Sequence, residues 1–145
     1  MTLVLGGRTV QRALIVGFGA TGRAVARFLD RRGAAFRVSE ARELCPEDRS
    51  WLEAHADAFS VGEPSADLLK DADIVIPSPG VPPEHFLLHE ARRQGVPQFS
   101  ELDLAGECTS VPVIAVTGTN GKSTTVQLIG RMLTAVGCTA WVGGN

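Results

Sequence analysis

The sequence predicts an α/β fold in which a parallel sheet forms the first and larger of two units. Short runs of apolar and β-branched residues alternate with segments of helical periodicity, which is the pattern of repeated βαβ units. Two of these runs are each followed by a glycine-rich loop and then by a helical segment. The first run, residues 12–16, is almost wholly apolar, as expected of a strand that is covered on both faces.

Helices and strands alternate through the first unit. A helix follows the first glycine loop, because Val25, Phe28 and Leu29 share one face, and Gly33 is its expected C-terminal stop. Further along, Pro83 suits the first turn of another helix, which Gly95 closes. The same patterns predict strands at 35–39, 57–61, 72–77 and 97–100, and helices at 48–56 (with Ser50 or Asp48 as the N-cap), 84–94 and 101–108.

A second unit begins with a buried strand over 111–117, followed by the second glycine loop and a helix over 122–136 with an apolar stripe. A final strand over 138–142 completes its one βαβ unit. We therefore place a first domain over residues 1–105 and the start of a second domain over 106–145. One βαβ unit cannot bury a core of its own, so we expect the sequence to be the N-terminal part of a longer protein.

Composition and charge exclude several classes of protein. The 145 residues are 44% hydrophobic and 21% charged, which indicates a folded domain rather than a disordered chain. The net charge of −2 argues against nucleic-acid binding, and the longest apolar stretch, residues 13–20, is too short to span a membrane. The N-terminus has no secretory-signal pattern, so we expect a cytoplasmic protein. The sequence does not determine the oligomeric state, for which a monomer is favoured.

The first glycine loop predicts a phosphate-binding site. Residues 17–22 are Gly-Phe-Gly-Ala-Thr-Gly, a GxGxxG motif placed directly between a strand and a helix. The first glycine permits the tight turn, Gly19 lets a diphosphate approach the backbone, and Gly22 allows helix and strand to pack closely. The phosphates would then meet the N–H groups of the helix N-terminus and the Thr21 hydroxyl. These features predict a Rossmann-like domain.

Three further side chains are expected at the same edge of the sheet. Glu40 and Arg42 follow the second strand, and Ser78 begins a Pro-rich turn after a later strand. Because the carboxyl ends of parallel strands meet at one edge, these side chains and Thr21 are expected to share one cleft. Two roles are open for Glu40: it holds the ribose hydroxyls of a dinucleotide, or it caps a loop while Arg42 is solvated.

The second glycine loop predicts a nucleoside-triphosphate site. Residues 117–125 follow a predicted strand, open a helix and have the GxxGK[ST] form of a phosphate loop. Lys122 would reach the β- and γ-phosphates, and the Ser123 hydroxyl would be a ligand of Mg²⁺. None of the residues after Lys122 is Asp, Glu or His, so the sequence lacks the later acidic Mg²⁺ ligand that phosphoryl transfer needs.

Two histidines at helical spacing raise the possibility of a metal site. His85 and His89 lie four residues apart on a predicted helix, which is a spacing that can hold a metal ion. The internal glutamate of an HExxH site is missing. A solvent-exposed helix face is therefore the preferred interpretation of this pair.

Taken together, the motifs resemble the Mur ligases of peptidoglycan synthesis and the related folylpolyglutamate synthases. The resemblance begins with VTGTNGKSTT at residues 116–125, which is similar to the ATP loop of these enzymes. The GFGATG loop, the Ser-Pro-Gly turn at 78–80 and the closing WVGGN narrow it to MurD-type ligases. It covers nearly the whole chain, but only the first domain and the opening of the central P-loop ATPase domain of those enzymes.

The resemblance implies an ATP-dependent ligase that adds D-glutamate to UDP-N-acetylmuramoyl-L-alanine through an acyl phosphate, with ATP and Mg²⁺. It implies that Gly19, Thr21 and Gly22 lie at the diphosphate of the UDP-substrate, Glu40 and Arg42 near the uracil, Ser78 and Gly80 at the nucleotide end, and Asn145 at the sugar-peptide. It implies that ATP is bound by Gly118, Thr119, Asn120, Gly121, Lys122, Ser123 and Thr124, with Lys122 as the catalytic residue and Ser123 as the metal ligand.

Two other functions are compatible with parts of the sequence. An NAD(P)-dependent oxidoreductase would use the first glycine loop and leave the second without a role. A non-catalytic nucleotide-binding module would need no complete ATPase site. Because the acidic Mg²⁺ ligand and a D-glutamate domain are not in the sequence, we expect the 145-residue chain to have no ligase turnover by itself.

Overall fold

The computed structural model describes residues 3–143, which form two compact units that divide between Ser110 and Val111. The first unit is an α/β domain of the predicted class, and the second contains the second glycine loop and one helix. None of the helices in the described range is long and apolar enough to cross a membrane.

The first unit is built on a sheet of four parallel strands. These are β3 (Arg12–Val16), β4 (Ala35–Glu40), β5 (Ala58–Val61) and β6 (Ile74–Pro77). Their order across the sheet is β5-β4-β3-β6, so that β6 and β4 pair with opposite edges of β3. The predicted parallel sheet is therefore confirmed, and the carboxyl ends of all four strands lie at one edge.

Helices cover both faces of this sheet. Alternate residues of β3 belong to different hydrophobic clusters, Ala13 and Ile15 on one face and Leu14 and Val16 on the other. This two-sided burial explains the uninterrupted apolar run in the sequence. The first face is covered by α1 (Ala20–Arg32) and α2 (Pro46–His55), and the second by α3 (Phe86–Gln94) and a 3₁₀ helix (Ala66–Leu69).

The ends of α1 and α3 confirm two predictions, and the start of α2 corrects another. Gly33 adopts the left-handed conformation after α1, and Gly95 does the same after α3, so both predicted stops are confirmed. The predicted start of α2 at residue 48 is wrong, because the helix begins at Pro46 with Cys45 as the N-cap. Proline suits the first helical position, and the two acidic residues that follow it suit the first turn.

The start of α3 also differs from the prediction. The helix begins at Phe86 and not at residue 84, because His85 is the N-cap. The Nδ1 atom of His85 accepts a hydrogen bond from the Leu87 N–H at 3.2 Å, and the His85 N–H donates to the Pro82 carbonyl at 3.0 Å. Pro83 consequently lies in the turn before the helix and not in its first turn.

A β-hairpin that the sequence analysis did not predict precedes the sheet. The strands β1 (Leu3–Leu5) and β2 (Arg8–Val10) are antiparallel, and Gly6 and Gly7 between them both have positive φ angles, 53° and 74°. A two-residue hairpin turn with positive φ at both positions favours glycine. The hairpin packs on the first face of the sheet through the buried residues Leu3, Leu5 and Val10.

The end of the first unit is a single bridge followed by a helix. The predicted strand over 97–100 is wrong, since only Gln98 pairs with the sheet, through one parallel bridge to Val75. The chain then enters α4 (Glu101–Glu107), whose start is fixed by a capping box between Ser100 and Asp103. The buried Leu104 of α4 packs in the same cluster as β1, so this helix belongs wholly to the first unit.

In the second unit only the predicted helix forms. It is α5 (Lys122–Ala135), whereas the predicted strands over 111–117 and 138–142 are wrong. A strand is stable only when it joins a ladder, and neither sheet of the described residues includes these two segments. The predicted apolar stripe of the helix is half-buried at Val126, Ile129 and Leu133 and exposed at Val136.

Candidate functional site

A cleft of about 570 Å³ opens at the carboxyl edge of the parallel sheet. Three segments form its walls: the glycine loop after β3, the end of β4 with the residues that follow it, and the turn that follows β6. The predicted residues that line it are Gly19, Thr21, Glu40, Arg42, Ser78 and Gly80. The structure therefore brings together the side chains that were expected to share one cleft, while their roles in ligand binding stay predictions.

The glycine loop owes its shape to two close approaches. Gly17 has a φ of 91°, and a Cβ atom there would lie 3.0 Å from the Ser78 Cβ. A Cβ atom on Gly22 would collide with the carbonyl oxygen of Gly17. Both positions consequently require glycine, and Gly22 lets α1 begin directly against the turn, as its place in the motif predicts.

Backbone hydrogen bonds attach this loop to the neighbouring strands. The Gly17 N–H donates to the Ser39 carbonyl at 2.7 Å, and the Ser78 N–H donates to the Val16 carbonyl at 2.8 Å. Between the glycines, the Phe18 side chain is buried and stacks on Trp51, with 6.3 Å between the ring centroids. The loop is thus a fixed element, preorganised before any ligand arrives.

Glu40 is the buried polar group that holds the loop from the side of β4. Its Oε2 accepts a hydrogen bond from the Phe18 N–H at 2.5 Å, and its Oε1 accepts from the backbone N–H and the Nε of Arg42 at 2.9 and 3.2 Å. Burial by itself raises the pKa of Glu40, but the hydrogen bonds from Arg42 and Phe18 outweigh it and lower that pKa below its ordinary value. These contacts favour the loop-capping role of Glu40 over a role in holding ribose.

Arg42 and Ser78 differ in the hydrogen-bonding capacity that each side chain keeps for a ligand. The Arg42 side chain is 77% exposed. Of its guanidinium nitrogens, Nε alone is hydrogen-bonded to Glu40, and this contact is also an ion pair. The Ser78 hydroxyl donates to the Gly17 carbonyl at 2.9 Å, so its proton is already used and only its lone pairs face the cleft. Gly80 lies on the wall where a Cβ atom would meet open space.

Thr21 lies in the first turn of α1, beside the unpaired N–H groups of that helix. Of the helices in residues 3–143, α1, α3 and α5 have no acidic residue in the first turn, whereas α2 and α4 have two each. The positive end of α1 is therefore not neutralised by its own side chains. An anion is favoured at this position, next to the Thr21 hydroxyl.

His85 was missed as a residue of the cleft. It is half-buried and lines the cleft wall, whereas His89 is exposed, so the solvent-exposed interpretation holds for His89 and is wrong for His85. A signal was present in the sequence, because His85 follows the Pro-rich turn and precedes the apolar run that begins α3. That signal is weak, because histidine is not among the commonest N-cap residues.

The second glycine loop is exposed and turns at two glycines with positive φ angles. Gly118 and Gly121 have φ angles of 148° and 77°, and Gly121 is the N-cap of α5. The Lys122 ammonium donates to the Gly118 carbonyl at 2.6 Å, so the side chain turns back over its own loop. The contact of Lys122 with phosphates stays a prediction. Ser123 is exposed in the first turn of α5. The other predicted residues of this site are Thr119, Asn120 and Thr124. The remaining predicted site residue, Asn145, lies outside the described residues.

Comparison with known families and proteins identifies similar sequences. The model of the MurD-like Mur ligase N-terminal domain matches residues 11–100. A UDP-N-acetylmuramoylalanine–D-glutamate ligase from Syntrophus aciditrophicus is 44% identical over 138 residues, and one from Geobacter metallireducens is 42% identical over 135 residues. These alignments cover 93% and 91% of this chain. The chain spans 30% of the length of each of these relatives.

Solved structures of the same class share the fold. The UDP-N-acetylmuramate-alanine ligase MurC from Thermotoga maritima superposes with a TM-score of 0.58 at 26% identity, over 86% of this chain and 29% of that one. A murein peptide ligase from Psychrobacter arcticus superposes with a TM-score of 0.59 at 24% identity, over 88% of this chain and 27% of that one. The second likeness, at lower identity, supports the fold alone.

The first prediction concerns the close approach at Gly22. We expect Gly22→Ala to lower the free energy of unfolding by about 1–3 kcal/mol, because the new methyl group must displace the Gly17 carbonyl. Gly106→Ala is the matched control, since Gly106 is also helical and a Cβ atom there meets open space; it is expected to raise stability by up to about 1 kcal/mol. Urea unfolding followed by circular dichroism measures both, and equal stability of the two variants would contradict the close-approach argument.

The second prediction concerns the charge of Glu40. At neutral pH we expect Glu40→Gln to cost about 1–3 kcal/mol, because an amide cannot accept at both of its positions. Since the folded-state pKa lies below the ordinary value of 4.5, this stabilisation is complete above pH 4.5 and is lost as the pH falls through the lowered pKa.

The difference in unfolding free energy between parent and Glu40→Gln is therefore expected to narrow as the pH falls below 4.5. Urea denaturation at neutral and acidic pH measures it. Glu63→Gln, at an exposed glutamate, is the control and is expected to show no such narrowing. If this difference stayed constant across the pH range, the charge of Glu40 would contribute nothing to the unfolding free energy.

Proposed function

The chain belongs to the MurD-like family of Mur ligases, and from this premise we propose that it serves an ATP-dependent ligase that adds D-glutamate to UDP-N-acetylmuramoyl-L-alanine. In this proposal the first unit binds the UDP-substrate and the second unit binds ATP, in the cytoplasm. The single observation that carries the proposal is the cleft at the carboxyl edge of the sheet, where the fixed glycine loop meets the residues that follow β4 and β6.

In the first unit, the diphosphate of the substrate would lie at the start of α1. Gly19 has no side chain between the backbone and the cleft, and Gly22 brings the helix N-terminus up to the turn. The free N–H groups of the first turn and the Thr21 hydroxyl are then donors to the phosphate oxygens. The absence of acidic residues in the first turn of α1, seen among the described helices, supports the same placement.

The uracil would lie beyond the diphosphate, on the side of β4. Arg42 is the group with free capacity there, because its exposed guanidinium keeps donors beyond the one that is bonded to Glu40. Glu40 would act mainly through Arg42 and the loop, and the lone pairs of Ser78 and the open wall at Gly80 would meet the nucleotide end. The role of Asn145 at the sugar-peptide stays a proposal from the family resemblance.

In the second unit, the loop around Gly118 and Gly121 would hold the phosphates of ATP. The Lys122 ammonium would exchange the Gly118 carbonyl for phosphate oxygens, a short movement because it already lies over the loop. The Ser123 hydroxyl is an oxygen ligand of the kind that Mg²⁺ prefers, and Mg²⁺ would neutralise charge on the transferred phosphoryl group. Thr119, Asn120 and Thr124 would complete the loop.

The proposed reaction has two steps. The substrate's alanine carboxylate attacks the γ-phosphorus of ATP, which forms an acyl phosphate and releases ADP. The amine of D-glutamate then attacks the carbonyl carbon, an amide bond forms, and inorganic phosphate leaves with the electron pair of the broken C–O bond. Lys122 would stabilise the negative charge that develops on the transferred phosphoryl oxygens in the first step.

The contacts of Glu40 argue against the alternative function of an NAD(P)-dependent oxidoreductase. Such an enzyme uses a strand-end acid to accept hydrogen bonds from both ribose hydroxyls. Glu40 already accepts three hydrogen bonds from the protein, out of about four that a carboxylate can accept. A non-catalytic nucleotide-binding module would share both loops with the ligase, so turnover distinguishes those two functions.

A ligand titration tests the proposal for the first unit. We expect UDP-N-acetylmuramoyl-L-alanine to bind the chain saturably and NADH to produce no binding heat in calorimetry. In Trp141→Phe, Trp51 is the one remaining tryptophan, and because it stacks on Phe18 of the glycine loop, its fluorescence is expected to report the same binding. Binding of NADH without binding of the UDP-substrate would favour the oxidoreductase instead.

The two glycine loops are proposed to bind different ligands, the UDP-substrate and ATP, and this gives a further prediction. In the complete ligase, we expect Lys122→Ala to lower turnover by a factor of about 10² or more, because the stabilisation of the transferred phosphoryl group is lost. The affinity for the UDP-substrate is expected to change by less than about twofold, since Lys122 belongs to the ATP loop. Lys70→Ala, which removes the sequence's one other lysine at an exposed position, is the control and should affect neither quantity. Equal loss of turnover and substrate affinity would mean that the two loops are misassigned.

A further inference from the structure

We infer that His85 is a further ligand-binding residue of the cleft, whose Nε2–H donates a hydrogen bond to a phosphate oxygen of the nucleotide-linked ligand. The inference rests on the proposed function of the first unit, which assigns no role to this residue. His85 is half-buried and lines the same cleft as the glycine loop.

The contacts of the Ser78 turn connect His85 to the proposed diphosphate position. β3 and β6 are paired neighbours, so the turn after β6 lies against the glycine loop after β3. Ser78 bonds to the Gly17 carbonyl at 2.9 Å, and the Val81 side chain lies 3.2 Å from where a Cβ of Gly17 would be. At the far end of that turn, the His85 N–H bonds to the Pro82 carbonyl at 3.0 Å. His85 is thereby held at the end of the turn, in the same cleft as Thr21 of α1.

The hydrogen bond of Nδ1 decides which ring nitrogen is free. Because Nδ1 accepts from the Leu87 N–H, the proton of a neutral His85 ring is on Nε2. No hydrogen bond of Nε2 occurs within residues 3–143. The ring therefore presents a donor, in a fixed tautomer, from a side chain whose other nitrogen is held by its own helix.

Capping alone does not require histidine at this position. The other side-chain caps in the described chain are serines, Ser65 before the 3₁₀ helix and Ser100 before α4, and a short oxygen acceptor is sufficient for that purpose. Histidine adds a second nitrogen, which a serine cap lacks. A donor is also the useful group beside an anion, and the first turn of α3 contains no acidic residue that would repel one.

The variant that separates the two roles of the ring is His85→Asn. Asparagine retains a side-chain acceptor for the Leu87 N–H but has no donor that extends as far as Nε2. We expect its melting temperature to stay close to that of the parent, while its affinity for UDP-N-acetylmuramoyl-L-alanine falls about tenfold, the usual effect of one hydrogen bond to a charged group. His89→Asn, on the exposed side of the same helix, is the matched control and is expected to bind as the parent does.

A second measurement does not depend on a variant. In ¹⁵N-labelled chain, we expect UDP to shift the Nε2 resonance of His85 and to leave that of His89 unchanged. Uridine, which has no phosphate, is expected to leave both unchanged. A shift of the His85 resonance by uridine would overturn the assignment to phosphate.

The outcomes also separate this inference from the proposed function. If the parent binds the UDP-substrate and His85→Asn binds it equally well, or if UDP leaves the His85 resonance unmoved, the inference fails and the proposed function stands. If the parent binds neither the UDP-substrate nor UDP, the proposed function of the first unit fails, and the inference fails with it.

Discussion

The close contact between the start of α1 and the turn at Gly17 is the constraint on which the cleft depends. A side chain at Gly22 would collide with the Gly17 carbonyl oxygen, so the helix can begin this close to the sheet only with glycine at that position. The approach brings the free N–H groups of α1 beside the residues that follow β4 and β6. One contact consequently determines both the packing of helix on sheet and the place where an anion is favoured.

The polar side chains around this contact divide between holding the backbone and facing the cleft. Glu40 and Ser78 bond to the backbone of the glycine loop, from the end of β4 and from the turn after β6 respectively. Buried groups of this kind must find partners inside the protein, and the loop N–H and C=O groups supply them. Thr21, Arg42 and His85 keep donors beyond those already bonded in the described chain, although Arg42 also bonds to Glu40 and His85 also caps α3. In the proposed function these donors, together with the lone pairs of Ser78, would contact the ligand.

Features that depend on neighbouring residues in the sequence could be predicted, whereas features that depend on contacts with distant residues could not. The parallel sheet and the glycine positions could be predicted, because strand patterns and the GxGxxG spacing are local. The role of Glu40 could not, since a strand-end carboxylate suits a ribose or a loop equally well until its distance to the Phe18 N–H is known. The apolar segment 111–117 has strand composition, but a strand also needs a neighbouring ladder, which composition does not report.

In the proposed function, the attraction of phosphate to the first unit arises from the start of α1 and not from the net charge of the chain. The net charge of −2 would repel an anion weakly, even though residues 1–42 contain eight arginines and only two acids. Several of those arginines are already paired, among them Arg12 with Asp57 and Arg23 with Asp48. Because α2 and α4 neutralise their own N-termini with acidic residues and α1 does not, a local attraction persists at the glycine loop. Screening over about 10 Å by salt leaves such a short-range attraction largely intact, whereas it removes most of the effect of distant charges.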